Sequence, residues 1–166
     1  MLGKMVFAVA LVVAAVLAYE NSRTIDESDV REHYRGQLEA LRAFDGEAVC
    51  AGIADDYGLR MVDRTGGRQA RATLDGPASC EQSRKLLRLM EQMSGQTGGM
   101  LTIDVDYDIT SIAISPDGRR ATVEATSTAK LGDVLLSRSR GREELSRSFW
   151  RVRSHGGEAQ VWNYGR

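Results

Sequence analysis

Cys50 and Cys80 are the residues whose chemistry is easiest to name. An even pair of thiols in an oxidising compartment closes a disulfide. Closing a loop of this length stabilises by roughly 3–4 kcal/mol in the chain-entropy model. No C-x-x-C is present, so a redox-active pair is not indicated. No spacing among Cys50, Cys80, His33 and His155 matches a zinc site. Asp104, Asp106 and Asp108 offer oxygen ligands to a hard cation, but alternate strand residues stand about 7 Å apart, too far for two of them to hold one ion directly. Neither a metal nor a cofactor is expected. Arg138, Arg140, Arg142, Arg147, Arg151 and Arg153 carry the opposite charge. The two rows read as complementary solvated strands of one sheet, with an anion, protein or anionic-lipid surface as the alternative. A formal net charge of −1 and the lack of interleaved exposed aromatics argue against nucleic acid. Gly95 to Gly99 holds no lysine for a phosphate loop. His155 falls in a glycine turn, and no Ser-His-Asp order is legible.

The elements that must position these residues are mostly strands. Leu101, Ile103, Val105, Tyr107 and Ile109 are apolar at every second place, which marks a strand with one buried face. Ile112 and Ile114 continue in the other register, so a β-bulge is expected near Thr110-Ser111. Ser115-Pro116-Asp117-Gly118-Arg119 is a turn. Ala121, Val123, Ala125, Ser127 and Ala129 face inward on the returning strand, and their small size leaves room for a helix or a cavity. Val134-Leu135-Leu136 continues a strand or forms an exposed loop. Glu143 to Arg153 reads as a third long strand, Ser154 to Glu158 as a turn, and Ala159 to Tyr164 as the last strand.

Upstream, Val30, Tyr34, Leu38 and Leu41 recur at helical spacing. Phe44-Asp45-Gly46 breaks that helix, and Asp45 can cap a shorter one carrying Ala48, Val49 and Ile53. Tyr57 to Asp63 and Arg68 to Leu74 form a hairpin around Arg64 to Gly67. Ser79-Cys80-Glu81-Gln82 reads as a capping box for a third helix with Leu86, Leu87, Met90 and Met93 on its buried stripe. Gly98-Gly99 then leads into the sheet. Met5 to Tyr19 is an apolar run behind Lys4. It has the length of a signal-peptide core and is short for a membrane span of roughly 20 residues. Residues 1–19 are therefore expected to be a signal peptide or membrane anchor, 20–28 a linker and 29–166 the domain. The domain would lie outside the cytoplasm, periplasmic or extracellular, either secreted or anchored in the inner membrane.

An amphipathic helix reaching Phe44-Asp45-Gly46, then Ile53-Ala54-Asp55-Asp56-Tyr57 leading into a strand, resembles the nuclear transport factor 2-like superfamily, which includes ketosteroid-isomerase-like and SnoaL-like domains. The likeness runs from about Asp29 to Tyr164. It implies an α+β cystatin-like cone, a strongly curved antiparallel sheet wrapped around N-terminal helices, preceded here by a hydrophobic helix. In isomerase-like members a tyrosine on the first helix, an aspartate at the end of the first strand and a later acid face the pocket. Here Met61 takes the aspartate's place, with Asp63 two residues on. Tyr34 lies about one turn from the tyrosine's place, and the later acid falls near Ser148. The resemblance implies a pocket lined by Tyr34, Leu38, Met61, Asp63, Trp150 and Trp162. The displaced acids and the N-terminal apolar run point to a non-catalytic domain that binds a protein partner or a small apolar ligand through its cone pocket or sheet face, and the resemblance implies dimerisation through the sheet. The alternative is an isomerase, dehydratase or cyclase using Asp63 and Tyr34.

Overall fold

The computed structural model describes residues 2–67, 69–96 and 103–164. In chain order these form α1 (Leu2–Asn21), α2 (Glu27–Arg42), α3 (Gly46–Ala51), β1 (Ile53–Asp63), β2 (Ala70–Asp75), α4 (Gly76–Gln96), β3 (Ile103–Ile114), β4 (Arg120–Leu131), β5 (Val134–Ser148) and β6 (Arg151–Asn163). The expected lead-in at Gly98-Gly99, the strand start at Leu101 and Arg68 in the first hairpin lie outside the described residues.

Six strands make one sheet in the order β2-β1-β6-β5-β4-β3. All neighbours are antiparallel except β1 and β6, which run parallel. The sheet is therefore mixed rather than purely antiparallel. The last strand returns to the middle and meets β1, which no tight turn connects to it, so their relative sense is unconstrained by hairpin geometry. Register shifts mark bulges at Thr110, between Ile109 and Ser111, and at His155, between the pairs Glu144–Gly156 and Leu145–Ser154. The first is where the alternation slips. Bulges bend their strands, and the helices occupy one side of the sheet: α2 against β3 and β6, α4 against β1 and β2, with α3 joining α2 to α4.

The fully buried centre is Ile25, Val30, Ala121, Val123 and Leu145, with Tyr34, Ile109, Ile112 and Val152 packed around it. Small β4 residues thus meet α2 directly. Ile25 belongs to the domain rather than to a linker: it is 1% exposed and its N–H donates to Gly118 O. Helix α2 starts earlier than the apolar stripe suggests, because Asp26 and Asp29 form a reciprocal capping box. Asp45 caps α3 as expected, accepting from the N–H groups of Glu47 and Ala48. Ile53 opens β1 instead of ending a helix. Helix α4 begins at Gly76, not at Ser79, with Asp75 accepting from Ala78 N.

Val134 to Leu136 continues a strand as part of β5, one of the two readings open from sequence. One correction concerns the last strands: the chain reverses at Phe149-Trp150 rather than at the glycines of residues 154–158. Both Phe149 (φ 49°) and Trp150 (φ 66°) take positive φ, the requirement of a tight hairpin turn usually met by Asn or Gly. The turn is pinned where Trp150 N donates to Ser22 O at 3.2 Å.

Residues 9–21 of α1 are exposed all round, including Val9, Leu11, Val12, Val13, Val16 and Leu17. Among the described residues, no helix is long and apolar enough to cross a membrane. The expected pairing of acidic and basic strands also differs. Asp104 and Asp106 on the edge strand meet Arg42 of α2 at 3.7 and 3.8 Å. Of the arginine row, Arg140 meets Glu124 at 3.8 Å, while Arg120 and Arg60, outside that row, reach Glu144 and Glu158 at 3.5 and 2.6 Å. All of these are exposed and contribute little.

Candidate functional site

The concave side of the sheet and the helices enclose a cavity of about 420 Å³. Its floor follows from register. One row across the sheet reads Met61, Ala159, Gly141, Ala125, Ile109. The next rows place Leu59, Gly157 and Glu143 on one side and Ser139, Ser127 and Tyr107 on the other. Residues at matching positions share a face, and glycine, alanine and serine at the centre of these rows leave the floor low. A β-carbon at Gly141 would stand 3.0 Å from Glu158 O, so the strands approach closely there. His33, Tyr34 and Gln37 of α2 and Ser79, Gln82 and Leu86 of α4 close the walls, with Ile53, Tyr57 and Leu74 at the sides.

Glu143 is the organising charge. Tyr34 donates its hydroxyl to Glu143 Oε2. Burial, then the charge of Glu143, pushes the Tyr34 phenol far above its usual range, and the same causes in the same order raise Tyr57. Tyr107 is pushed up to about 12 by burial, then by Glu143 and Tyr57. Its ring meets Tyr34 edge to face at 5.5 Å between centroids. His33 is held below its usual proton affinity by burial, against the pull of Glu143 and a hydrogen bond to the Val152 backbone. It is therefore neutral at pH 7. Ser79 Oγ is buried beside the Tyr57 hydroxyl without a well-formed hydrogen bond. The arrangement is an apolar chamber with one carboxylate, three un-ionised phenols and an unsatisfied hydroxyl. It can hold a molecule that is mostly hydrocarbon and carries a donor for Glu143.

Of the residues expected to line the pocket, Tyr34 and Met61 do so. Asp63 does not. It accepts from Thr65 N at 2.8 Å, from the Thr65 hydroxyl and from Asn163 Nδ2 at 3.3 Å, closing the turn beyond β1. The Thr65 hydrogen bonds lower its pKa, the reverse of what a base in an apolar pocket needs. Strand β1 simply runs past the chamber, so Asp63 and Tyr34 are not brought together. Leu38 is half-buried on α2 outside the wall. Trp150 sits in the hairpin turn, 55% exposed. Trp162 pairs with Arg138 on the outer face, because Val161 takes the inward position. Glu143 was not singled out from sequence. Its signal was parity: it alternates with Gly141 and buried Leu145, inside a run of arginines that reads as solvent-facing.

Cys50 and Cys80 are free thiols in this structure, in hydrogen-bond contact where α3 meets α4. Burial first, then Cys80, pushes the Cys50 thiol up to about 12. Among the described residues no group of three side chains could hold a metal ion.

No protein-family model and no curated protein matches the chain. Solved structures do. A conserved protein from Planctomyces limnophilus DSM 3776 is 17% identical over 84% of this chain and 98% of that one, with a TM-score of 0.55. An NTF2-like protein of unknown function from Pseudomonas putida KT2440 is 15% identical over 81% and 84%, with a TM-score of 0.52. An NTF-2 like protein of unknown function from Shewanella oneidensis MR-1 is 14% identical over 80% and 97%, with a TM-score of 0.52.

Proposed function

From the premise that this chain has the nuclear transport factor 2-like fold, we propose that its cavity is a binding site for a small, largely apolar molecule bearing a hydroxyl or amine. The observation that carries this reading is Glu143, a carboxylate held by Tyr34 at the floor of a cavity of about 420 Å³ walled by Ile53, Leu59, Met61, Leu74 and Leu86. Apolar walls supply affinity in proportion to the area removed from water, and one fixed carboxylate orients the ligand. Because a fold does not dictate an activity, the reading rests on this site alone. It is tested by titrating the protein with the neutral apolar dye Nile red and competing with apolar amines and alcohols. Binding that is lost in a folded Ala125→Trp variant, whose side chain fills the chamber, supports the proposal. Unchanged binding in that variant overturns it.

The phenols beside Glu143 favour one second reading, an isomerase or dehydratase in which Glu143 takes the proton-abstracting role expected of Asp63. Tyr34 already donating to that carboxylate weighs toward holding a ligand rather than turning it over. Turnover of a carbonyl compound that disappears in Glu143→Gln would decide for the enzyme.

We further propose that α1 engages a membrane during export, leaving the domain outside the cytoplasm. Val9, Leu11, Val12, Val13, Val16 and Leu17 are left exposed by the domain, and Tyr19, Phe149 and Trp150 stand exposed at the foot of the helix, with the Tyr19 and Phe149 rings 6.3 Å apart. Exposed aromatics of this kind suit a membrane interface. Intact chain in the cytosolic fraction of the native cell would refute this. Chain in the membrane fraction, or shortened near Tyr19 and outside the cytoplasm, would support it.

A further inference from the structure

The bulge at His155 builds a second constellation on the opposite face of the sheet. Ser146 of β5, His155 of β6 and Asp56 of β1 lie on three adjacent strands. Ser146 Oγ stands 2.7 Å from His155 Nε2, and His155 Nδ1 stands 2.5 Å from Asp56 Oδ1. A carboxylate can only accept, so Nδ1 carries the proton and donates to Asp56. In the neutral ring Nε2 is then the acceptor and Ser146 the donor. The serine hydroxyl is thus aimed at a nitrogen able to take its proton.

The surroundings supply charge. Ser146, His155 and Asp56 border a shallow groove of about 280 Å³ together with Ser148, Arg151 and Arg153. Arg153 and Arg120 are the two cross-strand neighbours of Ser146, and directly opposed residues share a face. Arg120 is engaged with Glu144 at 3.5 Å. Neither Arg151 nor Arg153 has an ion-pair partner among the described residues. Two guanidinium groups without an ion pair, in a groove that Asp55 also lines, stand beside the hydrogen-bonded Ser-His pair and suit a negatively charged ligand and a developing oxyanion.

We propose that Ser146, His155 and Asp56 form a nucleophilic serine centre that cleaves small carboxyl esters carrying a negative charge, independent of the concave cavity. Ser146 Oγ bonds to the ester carbonyl carbon as its proton passes to His155 Nε2. The tetrahedral adduct, its oxyanion facing Arg153, collapses with cleavage of the carbon–oxygen bond to the alcohol. The alcohol leaves with the proton from Nε2. Water then attacks the acyl-serine, gives its proton to Nε2, and the acid departs as that proton returns to Oγ. Ser146 and His155 are the catalytic residues; Asp56 positions the ring.

The full chain is treated with a fluorophosphonate probe and the labelled peptide is mapped by mass spectrometry. Hydrolysis of mono-4-nitrophenyl glutarate is followed against 4-nitrophenyl acetate. The label falls on Ser146 and is absent from Ser146→Ala. Hydrolysis drops about 100-fold or more in Ser146→Ala and His155→Gln. The preference for the charged ester is lost in Arg153→Gln. Asp56→Asn lowers kcat with KM unmoved, and Asp56→Glu restores it. Ser146→Ala removes only a hydroxyl and keeps the test decisive should His155→Gln unfold. Label elsewhere, or unchanged hydrolysis in Ser146→Ala, overturns the proposal.

Discussion

Tyr34 on α2 and Glu143 on β5, 109 residues apart in the chain, share a hydrogen bond in which the phenol donates to the carboxylate. The bond ties the helix to the floor of the cavity and satisfies a charge removed from bulk water. Loss of the donor leaves that charge short of a partner, at a cost of about 1–3 kcal/mol. Tyr34→Phe is therefore expected to lower the unfolding free energy by that amount in urea denaturation. A change under about 0.5 kcal/mol would mean that solvent replaces the phenol without penalty.

His33 makes stability depend on pH in a definite direction. Burial lowers its proton affinity in the folded state, so the unfolded chain binds the proton more readily. The contribution is fully present above the unfolded value of about 6.5 and is lost as pH falls below it. The carboxyls held low by hydrogen bonds, Asp26, Asp63 and Asp117 among them, act only below about 4.5. Between those limits stability should decline with falling pH in the wild type and stay level in His33→Gln. Parallel slopes in thermal melts would show that His33 is not the cause.

Cys50 and Cys80 are already in contact, so an oxidant should join them with little movement. The same burial that pushes the Cys50 thiol up to about 12 makes its thiolate scarce, and alkylation by iodoacetamide at neutral pH should be slow. After oxidation with copper phenanthroline, intact mass should show loss of both thiol hydrogens, and stability should rise by roughly 3–4 kcal/mol. Free thiols after that treatment would mean the pair cannot reach disulfide geometry.

Gly156 takes φ +82°, and a β-carbon there would lie 2.3 Å from Gly58 O. The parallel strands β1 and β6 meet at this point. Gly156→Ala adds both backbone strain and a contact with backbone that cannot swing aside. It should cost about 2–4 kcal/mol and disturb the neighbouring His155. A melting temperature equal to that of the wild type would show that the strands can separate locally without penalty.

Short-range pattern determined much of this protein. The period of two fixed β3 and β4, its slip located the bulge at Thr110, Asp45 announced the start of α3, and small inward residues on β4 foretold room for a helix or a hollow. Those signals act over a few residues, where side-chain alternation and capping are local physics. Lateral order and register are not local. Only the folded sheet set β6 parallel to β1, carried Asp63 past the chamber, turned Glu143 into it, and made the reversal at Phe149-Trp150 so that the glycines after His155 became a bulge. Each of those depends on which strand lies beside which, and a one-residue shift in that pairing exchanges one face of a strand for the other.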